Sequence, residues 1–191
     1  IVWQVAAFNP KQIILLDQAE TPLHNISLEI SKCNSDSEII SIIADVRNYY
    51  SLEQVFNAYQ PDIVYHAAAY KHVPLMEMNP QQAIFSNVLG TKHMADLLLK
   101  YKVKRFVMVS TDKAVNPSNV MGASKRIAEK YVQSLAQKLK WLIEDLILWL
   151  KDKLDIRYNT PHKRIYDNGK YEETFTNSIV LSNAALLSAY L

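Results

Sequence analysis

Residues 105–125 read R-F-V-M-V-S-T-D-K-A-V-N-P-S-N-V-M-G-A-S-K. Phe106, Val107, Met108 and Val109 form a short apolar run with the β-branched content of a buried parallel strand. Ser110, Thr111, Asp112 and Lys113 follow at once, so polar chemistry sits at a strand's carboxyl end. In open α/β sheets ligands bind at that edge, because the loops leaving it form the crevice where strand order switches. Pro117 and Asn119 then break the chain before a new helix, whose opening turns carry Met121 and Lys125 at the i, i+4 spacing of one face. The strand end and the helix start are expected to face one cleft.

Working towards the amino terminus, three more apolar runs have strand character. Residues 13–16 end in Asp17, residues 39–43 lead into Ala44-Asp45-Val46-Arg47, and residues 63–65 deliver His66, Ala67, Ala68 and Ala69. Helical patterns fill the intervals at 23–31, 51–59 and 81–101. Strands alternating with helices imply an α/β, Rossmann-like doubly wound parallel sheet with right-handed crossovers and helices on both faces. The spans 13–17, 39–43, 63–67 and 106–110 are therefore expected to form one parallel sheet. The alanines suit a strand end covered by a flat ligand, and they suit tight helix–sheet packing equally well. Asp17 is either a turn or capping aspartate or an acceptor for a ribose. Asp45 taken alone suits a surface turn.

The chain has three glycines, Gly90, Gly122 and Gly169, against a usual share of roughly 7%. A dinucleotide-binding fold ordinarily opens with a strand and a G-x-G-x-x-G turn, whose glycines let the backbone approach a pyrophosphate. No such turn occurs in these residues. Residues 1–8 look helical and end at Asn9-Pro10, so the sequence is expected to begin partway through the helix that should follow that turn. The first strand and its glycine-rich turn are expected to be lacking.

Composition excludes several classes. With 191 residues, 49% of them apolar and 21% charged, the sequence suits an ordinary globular domain. A net charge of +2 gives no field to recruit nucleic acid. The single Cys33 allows no internal disulfide and fits a reducing, cytoplasmic setting. No run reaches the roughly 18 apolar residues of a membrane span, and the histidines show no metal-ligand spacing.

Four motifs in order carry a specific resemblance: H-A-A-A-Y-K-H-V-P at 66–74, N-V-L-G-T at 87–91, S-T-D-K-A-V-N-P at 110–117 and V-M-G-A-S-K-R at 120–126. They closely resemble the nucleotide-sugar 4,6-dehydratases of the polysaccharide-biosynthesis group, within the extended short-chain dehydrogenase/reductase superfamily. The resemblance implies a partial NAD(P)-binding Rossmann domain over residues 1–138. It also implies NAD or NADP as cofactor, a nucleotide sugar such as UDP-N-acetylglucosamine as substrate, and a homo-oligomer in the complete family. Location would be cytoplasmic, or the cytosolic face of the inner membrane if the chain is part of a longer membrane-anchored parent.

In such enzymes hydride leaves sugar C4, the C5 proton and the C6 hydroxyl are lost, and hydride returns to C6. By resemblance Lys113 is the C5 base, which demands a lowered pKa, and Asp112 is the acid at the C6 oxygen, which demands a raised one; without it, the two suit a surface turn pair. Thr111 would hydrogen-bond the C4 oxygen. Lys125 matches the lysine that holds the nicotinamide ribose, and Met121 stands where a tyrosine usually precedes it. A thioether has no proton to exchange, so C4 oxidation would use another route, through Asp112, Lys113 or a bound water. The cofactor side would comprise Asp17 at the adenosine ribose, Asp45 and Val46 at the adenine, Ala67, Ala68 and Ala69 under the cofactor, Asn87 beside it, and Val109, Ser110 and Lys125. Lys71 and His72 would contact the substrate; the competing reading is a solvated basic loop.

Residues 139–191 depart from the family and read as a divergent, mainly helical tail. An amphipathic helix at 139–154, turns around 159–161 and 167–169, and an apolar helix at 178–191 are expected. The tail suggests a docking helix pair, a fused sequence or a damaged reading frame. An enzyme fragment inactive by itself and a non-catalytic α/β module using the tail for a protein partner both fit.

Overall fold

The computed structural model describes residues 1–32 and 37–153. A short helix α1 (Val2–Ala6) precedes β1 (Gln12–Asp17), α2 (Glu20–Ser31), β2 (Glu38–Ile43), α3 (Tyr49–Tyr59) and β3 (Ile63–His66). Two short helices follow, α4 (Val73–Met78) and α5 (Pro80–Ala83). A π-helical turn (Ile84–Leu89) then runs directly into α6 (Gly90–Lys100). The chain continues as β4 (Arg105–Met108), a 3-10 turn (Asp112–Ala114) and α7 (Val120–Lys153).

The strands are parallel, but they form two hydrogen-bonded pairs instead of the single sheet expected. β1 pairs with β2 from Gln12↔Glu38 to Asp17↔Ile43, and β3 pairs with β4 from Ile63↔Arg105 to His66↔Met108. The physical reason lies in strand order. A doubly wound sheet of order 3-2-1-4-5 places the strand preceding β1 between these two pairs, and only α1 precedes β1 among the described residues.

Two apolar layers hold the pairs together. Successive strand residues point to opposite faces, so Ile13 and Leu15 pack with Ala6 of α1 and Leu23 and Ile30 of α2, while Leu16 turns to the other side. There Leu52 and Phe56 of α3 meet Met94, Leu97 and Leu98 of α6. Leu16 of β1, Val64 of β3 and Phe106 of β4 all pack against that cluster, so one core spans both pairs. Leu52 and Leu97 are wholly buried, each contributing about 1.5–3 kcal/mol of transfer free energy. Met108, Ala95, Ala128 and Val132 seat α7 beside β4 and α6.

The single helix expected at 81–101 is three consecutive pieces, and α4 was not expected from the sequence. α7 runs unbroken through residues 138 and 139 to Lys153. The turns expected at 159–161 and 167–169 and the helix at 178–191 lie outside the described residues.

Candidate active site

β4 delivers its polar sequel to the edge where it was expected. The Val109 N–H donates to His66 O at 2.9 Å, carrying the pairing one residue past the strand. Thr111 then opens the 3-10 turn, its hydroxyl oxygen accepting from the Lys113 N–H at 3.3 Å and its O–H donating to Asp112 Oδ1 at 2.9 Å. Lys113 Nζ stands 3.5 Å from the same Oδ1, and the two side chains are 88% (Asp112) and 49% (Lys113) exposed. The Thr111 hydroxyl, and after it the Lys113 charge, hold the Asp112 carboxyl below the usual carboxylate range. That direction is opposite to what an acid at C6 needs.

The turn is pressed onto the start of α7. A Cβ on Gly122 would lie 2.1 Å from Lys113 O, a backbone atom with little freedom to move, so only glycine lets helix and turn approach this closely. Asn119 Oδ1 accepts from the Gly122 N–H at 2.8 Å, and Glu77 Oε1 of α4 accepts from the Val120 N–H at 2.7 Å. Free N–H groups of the first helical turn are thereby satisfied. One turn further, Lys125 is buried and its Nζ donates to Val109 O at 2.9 Å. Burial pushes its ammonium below the ordinary lysine range, and the charge of Glu129 opposes that shift. Met121 is 3% exposed and packs with Met76 and Ala83.

A cavity of about 210 Å³ opens at the carboxyl ends of β1, β2 and β3. Leu16, Asp17, Ala44, Asp45, Val46, Ala67, Ala68 and Ala69 line it, together with Gln18, Tyr70 and Ser86. Asp17 accepts the Ala19 N–H through Oδ1 at 2.8 Å. Asp45 accepts from the Arg47 backbone N–H at 2.9 Å and from its guanidinium, whose hydrogen bonds hold the carboxyl below its usual range. Arg47 also reaches Gln82 and Gln18. Six expected cofactor residues, Asp17, Asp45, Val46 and the three alanines, thus share one cavity. Val109, Ser110, Thr111, Asp112, Lys113 and Lys125 form the second group around β4 and α7. Lys71 and His72 are exposed and outside the cavity lining, with His72 opening α4.

Asn87 belongs to the π-helical turn and is wholly buried. Its Oδ1 accepts from the Tyr70 N–H at 2.8 Å, while Nδ2 donates to Tyr70 O at 3.1 Å and to Ser124 Oγ at 2.9 Å. It therefore fixes the backbone of the loop that follows the three alanines. Thr91, one turn on, donates its hydroxyl to Asn87 O at 2.7 Å. That hydroxyl has a single proton, so its 2.9 Å contact with His66 Nε2 requires the imidazole to donate. His66 is held as the neutral Nε2–H tautomer, with its pKa driven down to about 3 by burial and then by the charge on Lys125.

Sequence reasoning named Asn87 but missed its partners Tyr70, Ser124 and Thr91, and it missed Glu129. The available signal was polar residues on inward helix positions: Thr91 four residues after Asn87, and Glu129 four after Lys125. Among the described residues, no three His, Cys, Asp or Glu side chains stand together as a metal site, and no helix is long and apolar enough to cross a membrane.

A family model described as Polysaccharide biosynthesis protein matches residues 1–144. The capsular polysaccharide biosynthesis protein CapD of Staphylococcus aureus is 53% identical over 133 residues, covering 69% of this chain and 22% of that protein. The chain therefore spans less than a quarter of that relative's length. Among solved structures, Pen from Bacillus thuringiensis matches with a TM-score of 0.64 at 31% identity, over 70% of this chain and 41% of the other. DesIV, a dTDP-glucose 4,6-dehydratase from Streptomyces venezuelae solved with NAD bound, matches in fold at 20% identity with a TM-score of 0.62, over 73% of this chain and 48% of the other.

Proposed function

Since the chain belongs to the polysaccharide biosynthesis protein family through residues 1–144, we propose that it carries the catalytic half-site of a UDP-N-acetylglucosamine-type 4,6-dehydratase. The observation that supports this reading best is the Thr111-Asp112-Lys113 turn, held at the carboxyl end of β4 against the opening of α7. A nucleotide cofactor, NAD or NADP, fits the residues present. The cavity, at about 210 Å³, falls below the roughly 300–1,000 Å³ of a complete ligand pocket, and so has room for one end of a dinucleotide. Asp17 would accept from the ribose, Asp45 and Val46 would border the adenine, the alanines would let it lie close, and Lys125 would hold the second ribose. When bound, the cofactor supplies a hydride acceptor and then a hydride donor.

The chain's own residues handle the protons. Asp112, ionised at rest, takes the C4 hydroxyl proton as hydride leaves C4 and gives it to the departing C6 oxygen, so that water leaves. Lys113, once its ammonium has lost a proton to solvent, takes the C5 proton while the C6–oxygen bond breaks and returns it to C5 when hydride arrives at C6. Asp112 as placed is ill suited to holding the transferred proton, because Thr111 and Lys113 stabilise its charge. A bound sugar removes both causes: the Thr111 hydroxyl turns to the C4 oxygen, and Lys113 turns to C5. The acid is therefore assembled by substrate. Lys71 and His72 would meet the nucleotide diphosphate.

The test uses a complete family member carrying these motifs. Lys113→Ala should lower formation of the 4-keto-6-deoxy sugar by about 10²- to 10⁴-fold, the usual worth of a positioned acid or base, with cofactor affinity nearly unchanged. Unaltered turnover would remove Lys113 from the mechanism. These 191 residues by themselves should give no product with NAD or NADP, because they hold no glycine-rich turn to bind a pyrophosphate. Product above a protein-free control would refute that.

A further inference from the structure

Glu129 stands out from its surroundings. Its side chain is 8% exposed, beside the buried apolar Ala128 and Val132 of the same helix. Burying a carboxylate is costly, and an apolar side chain of similar size commonly serves packing as well or better. Its partners show where that cost is directed. One oxygen accepts the Ser110 hydroxyl, and the other accepts Arg126 Nη1 at 3.0 Å on the rim. Lys125, four residues earlier and so on the same face of α7, donates to Val109 O. Two charged side chains of one helix thus grip consecutive residues of the chain leaving β4, immediately before Thr111.

We propose, on the reading of this site as a dehydratase centre, that Glu129 is a positioning residue: it clamps Ser110, and through Ser110 the Thr111-Asp112-Lys113 turn, to the face of α7 that carries Lys125. The clamp works from beneath the site, since Glu129 is buried while the turn it steadies is open to solvent. Orientation of this kind matters most where an acid and a base must act on adjacent carbons of one sugar. Glu129 also supplies a negative charge beside a buried ammonium. The Lys125 charge also acts on His66 of β3, and Arg126 holds the other Glu129 oxygen.

The test compares Glu129→Leu, Ser110→Ala and the double variant in the full 191-residue chain. Amide exchange reads the clamp directly, because the Lys113, Ala114 and Val115 N–H groups are all hydrogen-bonded within the turn. Exchange at these three amides should rise about tenfold in each single variant. The double variant should add little, and the β1–β2 amides should be unaffected. The titration midpoint of Lys125, followed by carbon NMR of its ε-methylene, should fall in Glu129→Leu and hold in Ser110→Ala. A residue that merely fills space would leave the Lys125 midpoint in place and raise exchange along α7 generally.

Unchanged exchange at the turn in Ser110→Ala overturns the proposal, even if Glu129→Leu fails to fold; so does a uniform rise across the domain. None of these measurements needs substrate. A failed turnover test in the complete enzyme would remove the dehydratase reading and leave the clamp, whereas unchanged exchange would remove the clamp and leave that reading.

Discussion

At the scale of single residues, burial sets the protonation of side chains that pack beneath the candidate site. His66 is the clearest case, its pKa lowered to about 3 from an ordinary 6.5. Between those values the unfolded chain binds a proton that the folded one refuses. Stability is thus fully present above about pH 6.5 and is lost as pH falls towards 3. From pH 7 to pH 5 the loss from this group should be on the order of 2 kcal/mol. Urea unfolding at the two pH values checks it, with His66→Gln as the reference that removes the slope; an equal loss in both proteins would show that His66 is not its source. The sequence marked His66 only as the first letter of a motif. Its partner Thr91 lies 25 positions away, and a contact of that range leaves no local trace. Asp17, Asp45 and the alanines were legible as to place, because each follows an apolar strand run, while the choice among their roles came from the resemblance alone. Asp112 was legible as to place, and the surface turn pair that competed as a reading of Asp112 and Lys113 is the geometry observed; its charge was not legible, since Thr111 and Lys113 act on it through that turn.

At the scale of elements, strands and long helices followed from apolar periodicity, and irregular segments did not. β1, β2, β3 and β4 each fall within a residue or so of the expected spans, and α3 is capped by the Asn48 side chain accepting from the Ser51 N–H. The π-helical turn was read as ordinary helix, because its apolar pattern at Ile84, Val88 and Met94 suits either geometry. Such turns accommodate an extra residue within an α-helix and recur at functional sites. Here it allows Asn87 to face Tyr70 while Ala83 still packs against Met76 and Met121. Deleting Phe85 should restore plain helix and rotate α5 by about 100° relative to α6. Asn87 would then lose Tyr70 and Ser124, at about 1–3 kcal/mol for each buried polar group left unpaired. Phe85→Ala trims a half-exposed side chain and should cost far less, on the order of 0.5 kcal/mol. Equal urea midpoints for the two variants would show that the helical register is not what holds Asn87.

At the scale of the whole molecule, fold class and strand direction were evident from the alternation of elements. The division into two sheets was not foreseen, because the apolar runs of 13–16 and 63–65 look alike whether or not a strand lies between them. Leu16, Val64 and Phe106 show how the pairs stay together regardless, through side chains that share one core. Shared packing holds the pairs without satisfying the backbone of their margins. Among the described residues each of the four strands has a single hydrogen-bonded neighbour, so each offers one flank on which another chain can grow. The chain on its own should therefore be limited in solution by self-association. Clouding of a purified sample should follow a steep power of protein concentration, and the solid should show the infrared band of intermolecular β-structure. A free synthetic peptide of strand-forming sequence should slow it by occupying the open flanks, and the same peptide with two residues replaced by proline should not. Clarity at millimolar concentration over days would show that the flanks are closed to other chains.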